Sequence, residues 1–281
     1  MSNAYRIDRA GFSAGLGWLP ASAEWMRRGF RSLFSVAALW LLVSLIAVIP
    51  LIGQAVLAVL TPLLTAGVMV AFDRLGEGKV PPPATLFAGW HDPVRRARLL
   101  MLGAFGMAGG LTAALVLVSW LSNQLGAEQL EAAVRSPEAM AEALAGASLG
   151  GGLVLSGAVM AVVLGALYFA IPLVMFGRAP VGTALLTSLR AVLSNWIAFV
   201  GFLVASVAVL VGLMVILLLL TSVLNIALGA VGGWISQIIL LVGVMLFQVL
   251  MTGAQYLAFS QIFGWSPGLE DDSTDPDDLT P

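Results

Sequence analysis

Four long stretches of this sequence carry no charged side chain, and they limit the fold more than any other feature. They cover residues 32–72, 99–127, 143–177 and 191–269, with lengths of 41, 29, 35 and 79 residues. A helix needs about 20 apolar residues to cross a bilayer, so the first and last stretches each hold two helices and the others hold one. The sequence therefore predicts six transmembrane helices, at about 33–49, 53–72, 99–122, 151–174, 196–222 and 234–262.

Composition places the chain among membrane proteins and removes several kinds of chemistry. Charged residues make up 10% of the sequence and the mean hydropathy is +1.01, whereas soluble domains carry roughly 25% charged residues. The chain has no cysteine and a single histidine, His91, so thiolate and two-histidine metal sites are excluded. No charged residue falls inside the predicted spans, which argues against a buried proton relay or acid–base enzyme. We expect a protein that is not an enzyme and needs no cofactor or metal.

The basic residues are distributed very unevenly between the two sides of the predicted spans. With six spans both termini lie on one side, and that side receives 12 of the 13 Lys and Arg residues, leaving Arg135 on the other. Positive charge accumulates in the cytoplasmic loops of membrane proteins. The sequence thus predicts a multi-pass protein with both termini in the cytoplasm.

A short basic, amphipathic stretch precedes each pair of predicted spans, at residues 24–34, 83–98 and 180–196. Helices of this kind lie in the headgroup plane, with Trp at the interface and Arg near the phosphates. We predict an all-α fold of three hairpins, each led by a cytoplasmic interfacial helix. The basic residues then either anchor the topology or recognise an anionic lipid or partner. Candidate headgroup contacts are Arg27, Arg28, Arg31, Arg95, Arg96, Arg98, Arg190 and Asn195, of which Asn195 is also a candidate helix cap.

Glutamines form a line along the sixth predicted span. Gln237, Gln248 and Gln255 are separated by 11 and 7 residues, which places them within about 20° of one another on a helix. Thr252 lies about 60° from that line. Such a polar face either forms hydrogen bonds between helices or lines a cavity or a partner-helix contact.

The remaining segments flank or interrupt a membrane domain predicted at 24–264. Residues 1–23 form a cytoplasmic segment, and 123–150 form an extracytoplasmic loop of two short amphipathic helices, either a solvated cap or a partner-binding surface. Residues 265–281 form an acidic, disordered cytoplasmic tail with six carboxylates within 270–278, which acts as a solvating segment or as an electrostatic docking tag. Small-residue faces on the third and fourth spans indicate close packing within the bundle or between copies; they are Gly103, Gly106, Gly110, Gly157, Ala161 and Gly165.

Four short motifs resemble a family of uncharacterised six-helix bacterial inner-membrane proteins, chiefly proteobacterial. They are residues 25–34, the IPLIG turn at 49–53, LFAGW at 86–90, and the SLR, NW and F positions within 188–199. The family looks distantly similar to the membrane-anchor domain attached to some glycerophosphodiester phosphodiesterases. The resemblance spans about residues 18–264 and implies architecture and a bacterial inner-membrane location, with no catalytic residues.

Two functions follow as hypotheses from different classes. The first is a non-enzymatic accessory or scaffold protein that associates with membrane lipids, through anionic headgroups on the cytoplasmic side, or with a membrane complex. A membrane-protein partner or self-association through the small-residue faces would serve that role, and no nucleic acid is expected. The alternative is a transporter or channel for a small or lipid-like solute, with the glutamine line as its lining.

Overall fold

The computed structural model describes residues 6–136 and 149–267. Within them the chain is entirely helical, with nine α-helices, two 3-10 helices and no strand. The predicted acidic segment 270–278 and residues 137–148 of the predicted loop 123–150 lie outside the described residues. The α-helices are α1 (Phe12–Arg28), α2 (Phe30–Ser44), α3 (Ile52–Gly76), α4 (Pro93–Arg135), α5 (Leu149–Tyr168), α6 (Ala170–Met175), α7 (Val181–Ser194), α8 (Trp196–Leu228) and α9 (Ala230–Phe263).

Six helical segments are long and apolar enough to cross a membrane, which confirms the predicted number of candidate spans. Two of them combine a pair of elements: α2 continues into the 3-10 helix Leu45–Val48, and α5 is followed by α6 after a break at Phe169. The candidate spans are Phe30–Val48, Ile52–Gly76, Pro93–Leu125, Gly150–Met175, Trp196–Leu228 and Val231–Phe263.

The turn between the first two spans lies where the sequence predicted it. Pro50 and Leu51 form the turn, and Leu51 has a positive φ of 60°. A Cβ at Gly53 would lie 1.8 Å from the Ile46 carbonyl oxygen, so only glycine lets the chain double back this closely.

Several helices extend beyond their predicted bounds. The prediction that no charge lies inside a span fails at the helix ends. The candidate span Ile52–Gly76 carries Asp73 and Arg74 in its last turn. The candidate span Pro93–Leu125 begins before the predicted one and so includes Arg95, Arg96 and Arg98. Likewise α4 runs to Arg135, so the first part of the predicted loop 123–150 continues that helix. Charged side chains at a span end can reach the interface along their apolar stems, so they need not end the helix.

The three basic stretches form three different local structures. Residues 24–34 are interrupted at Gly29 and divided between α1 and α2. Residues 83–90 form a 3-10 helix, Pro83–Trp90, while Arg95, Arg96 and Arg98 belong to the first turns of α4. Residues 181–194 form the separate helix α7 before α8. Their placement in the headgroup plane stays a prediction.

Helix α1 packs against α8 and α9 along its length. Its contact side has a small or apolar residue every three or four positions, namely Gly15, Trp18, Leu19 and Ser22, all of them buried. The Trp18 indole donates to Gln261 Oε1 at 2.7 Å, and the Ser22 hydroxyl donates to the Leu250 carbonyl at 2.8 Å. The first described helix is thereby joined to the last.

The core of the molecule lies at one end of the spans. Its largest fully buried side chains include Phe72, Phe169 and Tyr256. The Phe176 ring lies 5.9 Å from that of Tyr256 and 6.0 Å from that of Phe259. By contrast, only 6% of the most apolar stretch of 18 residues in α8 is buried inside the protein. Its remaining apolar surface is suited to lipid.

Candidate anion-binding cleft

A cleft of about 440 Å³ opens where four elements meet, at the end of the bundle that holds the Phe176, Tyr256 and Phe259 rings. The end of α3, the 3-10 helix Pro83–Trp90, the start of α4 and the end of α6 form its walls. The polar side chains that line it are Asp73, Arg74, Thr85, His91 and Arg95, and the ring of Phe176 closes one side. We refer to this space as the basic cleft.

Arg74 supplies a cation that no acidic group of the described protein neutralises directly. It lies in the last turn of α3, half-buried, and its Nη1 donates to the Thr85 hydroxyl at 3.3 Å. No carboxylate in residues 6–136 or 149–267 lies within 4.0 Å of its guanidinium. The planar guanidinium has further donors to offer an anion that enters the cleft.

Arg95 is held in place by the residue that begins its own helix. Asp92 caps α4, since its Oδ1 accepts from the Val94 amide at 2.8 Å and from the Arg95 amide at 3.3 Å. Its Oδ2 lies 3.3 Å from Arg95 Nε, and the arginine side chain is only 12% exposed. The backbone amide of Val94, above all, holds the pKa of the Asp92 carboxyl below its usual range. This ionised cap fixes Arg95 against the cleft wall.

The turn at His91, Asp92 and Pro93 thus has the structural role expected of an Asp-Pro pair. Pro93 occupies the first helical position of α4, where the missing amide hydrogen has no cost. His91 Nδ1 lies 3.2 Å from the Ala88 carbonyl oxygen, and the imidazole is exposed at the mouth of the cleft.

Asp73 was not among the candidate residues predicted from the sequence, because the second predicted span ended at residue 72. Asp73 Oδ1 accepts from the Tyr256 hydroxyl at 2.7 Å and from the Trp265 indole at 3.1 Å. Tyr256 is 1% exposed, and the Trp265 ring lies 5.2 Å from that of Phe176. Asp73 therefore joins α3 to α9 and to the segment after α9, at the wall of the basic cleft.

A second arginine contact fixes the turn beside the cleft. Arg98 Nη1 donates to the backbone carbonyl of Arg178, which follows α6 and has a positive φ of 50°. A non-glycine residue in this left-handed conformation is uncommon. The hydrogen bond from α4 compensates part of its cost.

The candidate headgroup contacts fall into groups with different exposure. Arg27 and Arg28 are 77% and 71% exposed and both pair with Glu24. The hydrogen bond from Arg27, followed by that from Arg28, lowers the pKa of the Glu24 carboxyl to about 2. The Glu24 carboxylate is therefore ionised at neutral pH and offsets part of the charge of the two arginines. The other members are exposed (Arg31, Arg190) or half-buried (Arg95, Arg96, Arg98).

Asn195 is buried and bonded to the protein on both sides of its amide. Its Oδ1 accepts from the Ala10 amide at 2.6 Å, and its Nδ2 donates to the Ala191 carbonyl at 2.9 Å. It occupies the residue before α8 but makes no side-chain cap there, so the expected cap is wrong. The amide instead ties the segment before α1 to the end of α7.

The glutamine line does not converge on one site. Gln255 Nε2 donates to the Tyr168 carbonyl, and the Thr252 hydroxyl donates to the Gln248 carbonyl at 2.9 Å in its own helix. The side chains of Gln237 and Gln248 are exposed. Gln237 borders a groove of about 560 Å³ between α8 and α9 whose other lining is mostly Leu, Met and Val.

Comparison of the chain with protein-family models, curated proteins and solved structures finds no match. The family resemblance of the short motifs therefore stays an expectation from the sequence. The described residues contain no group of three or more His, Asp and Glu side chains arranged to hold a metal ion.

Proposed function

We propose that this chain is a non-enzymatic, multi-pass protein of a bacterial inner membrane, an accessory or scaffold component that binds an anionic lipid headgroup in the basic cleft. The observation that carries the proposal is Arg74, a half-buried cation in a 440 Å³ cleft at a span end, with no carboxylate of the described residues within 4.0 Å. A phosphate diester needs charge-assisted donors of this kind. A span end is also where lipid headgroups lie.

The absence of a catalytic role is part of the same proposal. Asp73 is the acidic group of the cleft, and its Oδ1 already accepts from Tyr256 and Trp265. A carboxylate engaged in this way supports the structure and is poorly placed to accept a substrate proton.

The lipid proposal is tested by replacing Arg74→Gln in the full chain purified in mild detergent. Bound lipid is counted by native mass spectrometry during titration with phosphatidylglycerol or with phosphatidylcholine. We expect a preference for phosphatidylglycerol, and a loss of about fivefold in that affinity for Arg74→Gln, because one basic residue near an anionic headgroup contributes about 1 kcal/mol.

The matched control is Arg9→Gln, which removes the same charge from an exposed residue outside the cleft. It should change the affinity by less than about twofold, since Arg9 does not line the cleft and salt screens the charge of an exposed side chain. Equal binding of the two lipids by the unaltered chain, or equal loss in the two variants, would contradict the proposal. Proteins that copurify in stoichiometric amounts would identify the complex in which the chain serves.

The proposed topology has three hairpins, interfacial helices before each hairpin, and both termini in the cytoplasm. Its support is the segregation of 12 of the 13 basic residues to the side of the basic cleft. A reporter fused after residue 281 is expected to read as cytoplasmic, and the same reporter inserted between residues 136 and 149 as extracytoplasmic. The opposite pair of readings would reverse the orientation and remove the cleft from the anionic cytoplasmic leaflet.

A further inference from the structure

We propose that the acidic segment 270–278 of this chain docks in the basic cleft and competes there with the anionic headgroup. The docking is an intramolecular contact and can be tested by itself. The competition rests on the proposed function, because it needs a headgroup that binds the same cations.

The chain leaves the described fold at the rim of the cleft. The Trp265 indole donates to Asp73 Oδ1 at 3.1 Å and its ring lies 5.2 Å from that of Phe176, and both partners line the cleft. Two residues later Pro267 packs on the end of α3, where a Cβ added to Gly76 would come within 2.7 Å of its ring. The following residues therefore start beside the cleft.

The acidic segment is within reach of the cleft from this starting point. An extended chain covers at most about 3.3–3.6 Å per residue, so Glu270 lies within about 11 Å of Pro267 and Asp278 within about 40 Å. Docking thus requires no rearrangement of α9. A short tether of this length gives an effective concentration in the millimolar range.

The acidic segment and the Arg74 side chain of the cleft carry opposite charges. The segment 270–278 has six carboxylates and no basic residue: Glu270, Asp271, Asp272, Asp275, Asp277 and Asp278. The cleft presents Arg74, which has no carboxylate of the described residues within 4.0 Å, whereas Arg95 is already paired with Asp92. Asp73 also lines the cleft, and its Oδ1 accepts from Tyr256 and Trp265. An anionic membrane surface would repel the same carboxylates.

Arg27, Arg28 and Arg98 are weaker docking sites for the segment than Arg74, because each of them already has a partner. Arg27 and Arg28 already share the Glu24 carboxylate, and Arg98 donates to the Arg178 carbonyl. Proximity, available charge and a concave surface coincide at the basic cleft.

The docking is tested by disulfide formation, since the sequence has no cysteine of its own. Ala84, an exposed residue that lines the cleft, and Thr274, in the middle of the acidic segment, are replaced together as Ala84→Cys and Thr274→Cys. We expect this pair to oxidise at least about fivefold faster than the matched control pair, Ser13→Cys with Thr274→Cys, because docking raises the local concentration. Ser13 is also exposed, in the first turn of α1.

Charge dependence separates docking from random collision. Changing the six carboxylates to Asn or Gln should bring the rate of the cleft pair down to that of the control pair, and so should raising the salt concentration. Equal rates for both pairs in the unaltered segment would overturn the docking. A rate difference that survives neutralisation of the carboxylates would overturn its electrostatic basis.

The competition is measured by the phosphatidylglycerol titration with the neutralised segment. Affinity should rise about three- to tenfold, the factor expected when a millimolar internal competitor of modest affinity is removed. The rise should be smaller in the Arg74→Gln background. Faster crosslinking without a preference for phosphatidylglycerol would support the docking and refute the proposed function, whereas a lipid preference with equal crosslinking rates would do the reverse.

Discussion

Replacing Gly15 with alanine is expected to lower the thermal stability of the protein strongly. A Cβ at this position would lie 1.8 Å from the Ala198 carbonyl oxygen, and on the facing helix a Cβ at Gly201 would lie 2.3 Å from the Phe12 carbonyl oxygen. Overpacking a core typically costs about 1–3 kcal/mol. Here the obstructing atoms belong to the backbone and cannot rotate away, so we expect a loss in the free energy of unfolding of at least about 3 kcal/mol.

The chain offers a matched control two residues away. A Cβ at Gly17 meets nothing within 4 Å, and Gly17 lies in the same helix. Gly17→Ala should stabilise the protein by up to about 1 kcal/mol, the helix propensity difference. Thermal unfolding of both variants in one detergent provides the measurement. An unchanged or raised melting temperature for Gly15→Ala would show that α1 does not pack on α8 as described.

Replacing Asp73 with leucine should produce the second large effect. The variant removes the acceptor of the Tyr256 hydroxyl and the Trp265 indole, and Tyr256 is 1% exposed. Hydrogen bonds to charged groups contribute about 1.5–3 kcal/mol each, and an orphaned buried donor adds a penalty. We expect a loss of about 2–4 kcal/mol in the free energy of unfolding, measured by thermal or denaturant unfolding.

Two further variants separate the hydrogen bonds from other effects of Asp73. Asp73→Asn keeps an acceptor oxygen of the same reach and should retain most of the stability. In the Asp73→Leu background, Tyr256→Phe should cost little more, because the hydroxyl has already lost its partner. Additive losses in this double-mutant cycle would contradict the described contact.

The number and order of candidate spans could be predicted because they depend on one local property. A stretch without charge and long enough to cross a bilayer needs a helix to satisfy its backbone, wherever its neighbours lie. The turn at residues 49–53 could be predicted for the same reason, since Pro50 and Gly53 determine the conformation of the backbone at their own positions.

The contacts that build the candidate site depend on distant partners and could not be predicted this way. Tyr256 and Asp73 are 183 residues apart, and Ala10 and Asn195 are 185 apart. To predict these contacts, one would need to know how the helices are rotated and aligned relative to one another, and the periodicity of the sequence does not determine this. One signal was available, however: Gly15, Trp18, Leu19 and Ser22 recur at three- and four-residue spacing, which is typical of a helix with one packed side.

The hydrogen bond from Ser22 to Leu250 sets the order in which the molecule can be completed. The two residues are 228 positions apart, and ribosomes add about 5–20 residues each second. Ser22 therefore waits roughly 10–45 s for its partner during synthesis, after the Phe199 and Phe202 rings that pack against Trp18 have been made. Closure of α1 onto α9 can only follow its contact with α8, and a chain that stops before Leu250 lacks both hydrogen-bond acceptors that α9 supplies to α1, the Leu250 carbonyl and the Gln261 side chain.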